Sequence, residues 1–358
     1  MYIHPACFFC TGFNSDCMRI LFTFYFIVLC SVYGKSQNIW GQTKSDLDES
    51  QAQSYELRST LVRNNIHTVK GVYQNYRHGK ECPLNHLSYE AGYNDGGYCT
   101  SYKTFSKQGK IRSTYTYSWD ENGNNLESQS GKASGKLNWK YTNRYDEAGN
   151  NIQVTKYWKS KSKPELIWIN SFDQKRNMIK MEVFSGDQKE LYGKYVFTYF
   201  EDGSKKQTQE FNRKGKLLHT WNYECKPTGE LEYAPSKDSS RVCVHFETDQ
   251  AGNKIKIKEE FLKDGKTARI ITKSDQNNNL LEKVTYDKNG KELTRVKKQY
   301  NNAGKVTEST QYKKGSKQAI SKEVFKYDAS GLVNEVQKYK KLTTPEMVWK
   351  YEYATGTR

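Results

Sequence analysis

Apolar residues are scarce in this chain. Only 35% of its 358 residues are hydrophobic, even with Tyr counted, and the mean hydropathy is −0.94. That excludes a thick core of the ordinary kind. Long apolar runs are missing too. The stretch of about 13 apolar residues from Ile20 to Val32 is too short to cross a bilayer as a helix, which takes about 20. The marked catalytic motifs are absent: there is no G-x-S-x-G elbow, no H-E-x-x-H and no dinucleotide fingerprint. The expectation is therefore no catalytic residue, no cofactor and no metal. Disorder is excluded from the other side. The 27 Tyr, 15 Phe and 7 Trp are rings that disordered chains lack. A sheet one layer thick, held by cross-strand aromatic and Thr pairs, reconciles the two facts.

What is abundant is a repeated phrase, present in about thirteen copies. It reads aromatic, Asp or Asn, two polar residues, Gly, then Asn or Lys. Clear copies begin at Tyr145, Tyr286 and Tyr327, with Asp146, Gly149, Asp287, Gly290, Asp328 and Gly331 in the key places. Variants begin at Trp119, Thr248 and Tyr300, with Asp120, Gly123, Asp249, Gly252 and Gly304. Asp suits the first position of a type I turn, and Gly takes the left-handed conformation that follows it without a steric cost. Together they make a three-residue hairpin loop with a bulge. From Gly252 onward the turns recur about every 13 residues, which leaves strands of roughly eight or nine. The Phe172–Asn177 copy reads as carrying one extra residue. Leu293 and Val296, like Val333 and Val336, lie three apart, and a bulge that shifts the face accounts for that spacing. The fold class that follows is all-β: a tandem array of antiparallel hairpin repeats, extended or curled, with a loop-rich N-terminal cap.

The phrase series resembles the YD repeat of the RHS family over about residues 101–353. The resemblance implies an exported hairpin array of the kind often described as surface-located or carbohydrate-binding. No Asp-Pro-x-Gly-Leu element ends the repeats and the chain is too short to enclose a cargo. A fragment of an RHS-type toxin system is therefore the lesser reading.

Residues 1–36 read as an upstream extension and a signal peptide. Met18 is the expected true start, and cleavage fits after Gly34 or after Ser36. A polar linker (37–54) follows, then the cap (55–100), then the repeats (101–353). The expected location is exported: periplasmic, cell-surface or extracellular, with no transmembrane segment after cleavage. Gly131–Lys136, Lys159–Pro164 and Pro235–Ser240 read as insertions, the last as a sub-array boundary near 235–240. Cys82, Cys99, Cys225 and Cys243 are an even set, which favours disulfides in an exported chain. Three pairings are open, and closeness in sequence favours Cys82–Cys99 and Cys225–Cys243. His78, Cys82, His86 and Cys99 match no strong zinc spacing. Asn94-Asp95-Gly96 offers too few oxygens for calcium.

Net charge is +17, from 57 basic and 40 acidic residues. Lys is spread along the chain rather than gathered in one run. That fits an anionic partner, or strand faces kept soluble, and gives nucleic acid no specific support. The candidate ligand platform is aromatic: Trp119, Trp139, Trp158, Trp168 and Trp221, with Lys nearby to meet acidic groups. The expected partner is a glycan or an anionic envelope polymer. The alternative is a protein scaffold that pairs by strand addition at a sheet edge.

Overall fold

The computed structural model describes residues 57–77, 80–159, 162–201, 203–223, 239–261, 267–316, 318–340 and 344–356. A short helix over residues 57–63 precedes 21 strands in one sheet, from β1 (Ile66–Arg77) to β21 (Met347–Thr355). Each strand pairs with its sequence neighbours, and β1 also pairs antiparallel with β21, from Ile66 beside Thr355 to Asn75 beside Met347. The sheet therefore closes on itself. The array is all-β and curled to closure, and every described strand has two partners.

The local cause is the predicted turn. In 13 turns among the described residues, the N–H of the first residue donates to the carbonyl four positions on, and the N–H of the fourth donates back to the first. Gly fills that fourth place at Gly123, Gly149, Gly252, Gly290, Gly304 and Gly331, all with φ between 73° and 80°. The register slips at the phrase aromatic, as at Arg144/Tyr145 and Lys326/Tyr327. The expected bulges at Leu293 and at Val333 lie at such slips, next to Tyr286 and Tyr327.

Several copies were hidden in the sequence. Asp173 to Asn177 is a turn of the standard length, with Arg176 (φ 67°) in the Gly place, so no extra residue is inserted. Lys132 to Lys136 is the same turn again, not an insertion. So is Asn94 to Tyr98, which gives the calcium-like triplet a structural job. The N-terminal segment expected to be loop-rich supplies β1 and the 14-residue β2 (Lys80–Tyr93).

One junction differs from the rest. β12 (Leu217–Asn222) and β13 (Ser239–Thr248) pair parallel, over Thr220 to Asn222 against Ser239 to Arg241. The expected boundary at 235–240 falls here, and residues 235–238 lie outside the described residues, as do the signal segment (1–36) and linker (37–54). The core is thin, as the composition demanded. Its larger cluster gathers Leu61 of the helix, Val69, Ala91, Tyr93, Cys99, Tyr102 and Tyr117 near the closure. A smaller one joins Met178, Met181 and Phe197.

Candidate functional site at the two rims

Antiparallel order sends successive turns to opposite ends of the closed sheet. The parallel junction returns the chain to the starting end before β13, so the alternation keeps its phase. One end, the phrase rim, collects the turns that begin at Asn94, Asp120, Asp146, Asp173, Phe200, Asp249, Asp275, Asn301 and Asp328. The other end, the lysine rim, collects those at Ser106, Lys132, Ser185, Asn212, Asp287 and Lys313.

The phrase rim is cross-linked. Asp146 accepts from the Asn150 backbone N–H at 2.8 Å and from its side-chain amide at 2.9 Å. Asp120–Asn124, Asp173–Asn177, Asp249–Asn253 and Asp275–Asn279 repeat the arrangement. Where the residue before the turn is Tyr199, Tyr300, Tyr327, Tyr145 or Trp119, it reaches back one repeat. Tyr145 Oη donates to the Asn125 carbonyl at 3.0 Å, Tyr199 to Met178 at 2.7 Å, Tyr300 to Leu280 at 2.9 Å and Tyr327 to Val306 at 2.7 Å. Trp119 does the same with its indole N–H, to Cys99 at 2.7 Å. Burial pushes the Tyr145 and Tyr199 hydroxyls up to about 12. Hydrogen bonds from Lys273 and then Asn253 hold the Asp249 carboxyl well below the usual range. Slight burial raises Asp146 and Asp173, and hydrogen bonds from Asn150 and Asn177 outweigh it, so both sit low. These carboxylates are turn caps.

The lysine rim uses the same backbone turn with other side chains. The place held by Asn124 or Asn150 on the phrase rim is held here by Lys110, Lys136, Lys216 and Lys291, all exposed. Lys107, Lys132, Arg213, Lys214, Lys313 and Lys314 are exposed beside them. Just inside this rim, cations lie over rings. Lys156 Nζ is 5.3 Å from the Trp158 ring centre, Lys194 4.7 Å from Phe211, and Lys297 5.7 Å from Tyr312. The Arg269 guanidinium lies 4.9 Å from the Tyr286 ring centre.

The five sequence-predicted Trp residues divide between the ends. Trp139 and Trp158 are cross-strand partners on β6 (Leu137–Tyr145) and β7 (Asn151–Trp158), and Trp168 on β8 (Leu166–Phe172) faces Val154. All three stand near the lysine rim, and Trp158 is 41% exposed. Trp119 and Trp221 sit toward the phrase rim, where Trp119 stacks on Tyr98 at 4.9 Å and Trp221 packs on His219 at 4.3 Å. The sequence reading missed a lane of rings on one face that continues the group. Tyr89–Tyr102, Tyr102–Tyr115, Tyr115–Trp139, Trp139–Tyr141 and Tyr141–Trp168 lie 5.3–6.4 Å apart. Its signal was the i, i+2 spacing of Tyr115 with Tyr117 and of Trp139 with Tyr141.

The Cys82–Cys99 pairing does not form. Cys99 opposes Tyr93 at the start of β3 (Cys99–Phe105), and its thiol donates to the Ser101 carbonyl at 3.3 Å. Cys82 lies eleven positions before Tyr93 on β2, on the order of 35 Å away at about 3.3 Å per residue, far beyond disulfide reach. The same separation disperses the four-residue zinc option, and His78 lies outside the described residues. Cys243 is buried on β13, and Cys225 lies outside the described residues.

Both faces of the wall are charged in places: Arg295 and Lys297 occupy one face of β17 (Glu292–Tyr300) and Lys298 the other. A lipid-facing apolar band is not built there. No described helix is long and apolar enough to cross a membrane.

No protein-family model matches the sequence, and no curated protein does. Among solved structures the chain is similar to the TcdB2-TccC3 complex, with TM-score 0.30 and 11% identity over 70% of this chain and 17% of that one. It is similar to the Photorhabdus luminescens Tc holotoxin pore, with TM-score 0.26 and 11% identity over 74% and 17%. It is similar to a porin-like protein from Bacteroides uniformis, with TM-score 0.28 and 7% identity over 81% and 96%. The chain spans 17% of the length of each of the two toxin chains that it matches.

Proposed function

We propose that this chain is an exported, non-enzymatic protein of the cell envelope that binds carbohydrate or another anionic envelope component. The resemblance of the phrase series to YD-repeat arrays supports this reading. The observation that supports the binding reading is the gathering of Trp139, Trp158 and Trp168 beside exposed lysines at one rim. Rings stack on sugar faces, and ammonium groups meet carboxylates or phosphates. Among the described residues no strand is left unpaired, so the strand-addition reading would need an edge that they do not supply.

A glycan array of neutral and acidic sugars, read beside tryptophan fluorescence, tests the proposal. Binding that Trp158→Ala weakens supports it; silence across the array, together with silence toward anionic polymers, removes it. The export reading carries a Cys225–Cys243 disulfide with it. Thiol titration of the denatured chain from residue 37 on should then find two thiols, Cys82 and Cys99, and four would remove the pairing.

A further inference from the structure

The two rims share one backbone turn yet carry opposite charge. On the phrase rim, Glu121 and Glu147 are exposed beside the turn carboxylates Asp120 and Asp146, and Glu201 is exposed in the Phe200 turn. On the lysine rim, Lys132 and Lys136 occupy one turn, Arg213, Lys214 and Lys216 the next described one but one, and Lys313 and Lys314 another. Turn geometry does not demand this. The pattern in which Asp146 and Gly149 bond is met equally by Lys132 and Gly135, with N–H to carbonyl distances of 2.9 Å in both. Most turn cations are thus sorted to one end by sequence and topology, not required by the fold, although Lys175, Arg176 and Lys305 stand in phrase-rim turns and Asp187 and Asp287 in lysine-rim turns.

Their distribution narrows the partner. Successive lysine-rim turns are two strands apart, about 10 Å along the circumference at about 4.8 Å per strand. The sheet is closed, so the cations form a ring. A single polysaccharide strand lying across a ring meets two or three turns. A surface of anionic headgroups meets many at once. Rings stand just behind the cations, with Trp158, Phe211, Tyr286 and Tyr312 under Lys156, Lys194, Arg269 and Lys297, as aromatic side chains and cations meet a lipid interface; Lys206 over Phe200 and Lys305 over Tyr327 pair alike at the phrase rim, so the exposed turn charges choose the end. The acidic rim at the far end is repelled by the same surface.

We infer that the protein docks end-on to an anionic lipid surface, lysine rim inward and phrase rim outward. This rests on the anionic-component reading above and commits it to headgroup phosphates. The test is cosedimentation of the full chain with vesicles of phosphatidylcholine, alone or with a third of the lipid replaced by phosphatidylglycerol, beside dextran sulfate and the glycan array. K132E/K136E/R213E/K214E reverses the lysine rim, and K132Q/K136Q/R213Q/K214Q neutralises it as a milder second variant. E121K/E147K/E201K reverses the phrase rim. All variants keep the apolar segment 20–32, so differences among them report the rims. The expected result is binding to the anionic vesicles that falls at least tenfold when salt is raised from about 0.05 to 0.5 M, is lost in the lysine-rim reversal, drops in the neutral variant and persists in the phrase-rim reversal. Equal binding to neutral vesicles, or equal loss from both reversals, overturns it. Binding to dextran sulfate or glycans without anionic vesicles overturns the lipid assignment and leaves the proposed function standing. Silence toward all of them removes both.

Discussion

The two rims are built from one turn and made to do different work. On the phrase rim each turn leans on the next. A Cβ added at Gly123 would run into Tyr98 Oη, one at Gly252 would lie 2.8 Å from Gln276, and one at Gly331 2.5 Å from Lys305. On the lysine rim, Gly109, Gly135, Gly215, Gly290 and Gly315 have nothing within 4 Å, though Gly186 there abuts the Pro164 carbonyl and Gly203 on the phrase rim is open. With those two exceptions, one end is a stack of mutually supporting loops and the other a set of separate loops held out in solvent. A repeat protein whose stability adds along the array thus concentrates its side-chain bonding at one end and leaves the other to vary.

The sharpest test pairs two glycines of similar φ, 78° at Gly123 and 75° at Gly109. Gly123→Ala meets both left-handed strain and the Tyr98 hydroxyl, and should cost roughly 2–4 kcal/mol. Gly109→Ala meets the strain alone and should cost about 1 kcal/mol. Denaturant midpoints read both, and equal losses would erase the contrast between the rims.

Next in size is Asp146→Ala, which removes the bonds to Asn150 and should cost about 1.5 kcal/mol. Lys132→Ala, at the matching place on the other rim, should stay within about 0.5 kcal/mol. A larger loss at Lys132 would give the lysine rim a structural duty that it is not assigned here.

Tyr145→Phe deletes only the hydroxyl that reaches the Asn125 carbonyl, and about 1 kcal/mol should follow. The Tyr192 hydroxyl, on a ring 49% exposed, should be removable with no measurable change in midpoint.

Acid should give the smallest effect per residue. Asp249 is depressed first by Lys273, and Asp146 and Asp173 by their Asn partners against slight burial. A carboxyl with a lowered folded pKa stabilises fully above its unfolded value of about 3.9 and loses that contribution as pH falls through the folded value. Stability should therefore be flat from about pH 5 to 7 and decline below about pH 4. Asp146→Asn should flatten part of that decline. A variant with the parent's acid profile would disconnect the phrase carboxylates from it.

Much of this was legible in the residues, and what escaped has physical causes. Gly149, Gly252, Gly290 and Gly304 announce reversals because few other residues occupy that backbone region cheaply. Arg176 and Phe200 take places in turns that their types do not advertise, because neighbouring pairing and hydrogen bonds outweigh local preference there. The Cys82–Cys99 guess failed because closeness along a chain is not closeness along a 14-residue strand. Closure could not be read at all: Ile66 and Thr355 meet through the accumulated twist and stagger of every strand between them. The separation of the Trp residues shares that origin, since the end at which a ring stands depends on counting strands.

A ring whose neighbours always run in opposite directions needs an even number of members, and this one has 21. An odd cycle of alternating arrows holds at least one matched pair, and β12 with β13 is that pair. The mismatch can be moved around the ring but not annealed away. Duplicating or deleting a whole hairpin preserves it, whereas gaining or losing one strand cancels it by reversing the strands between that point and the junction, because the β1–β21 pairing holds the rest. A strand gained between β20 (Val333–Tyr339) and β21 would send Asp249, Asp275 and Asp328 out of the opposite mouth, among the lysines. Lengthening by pairs thus leaves every strand's direction, and this molecule's two poles, as they are.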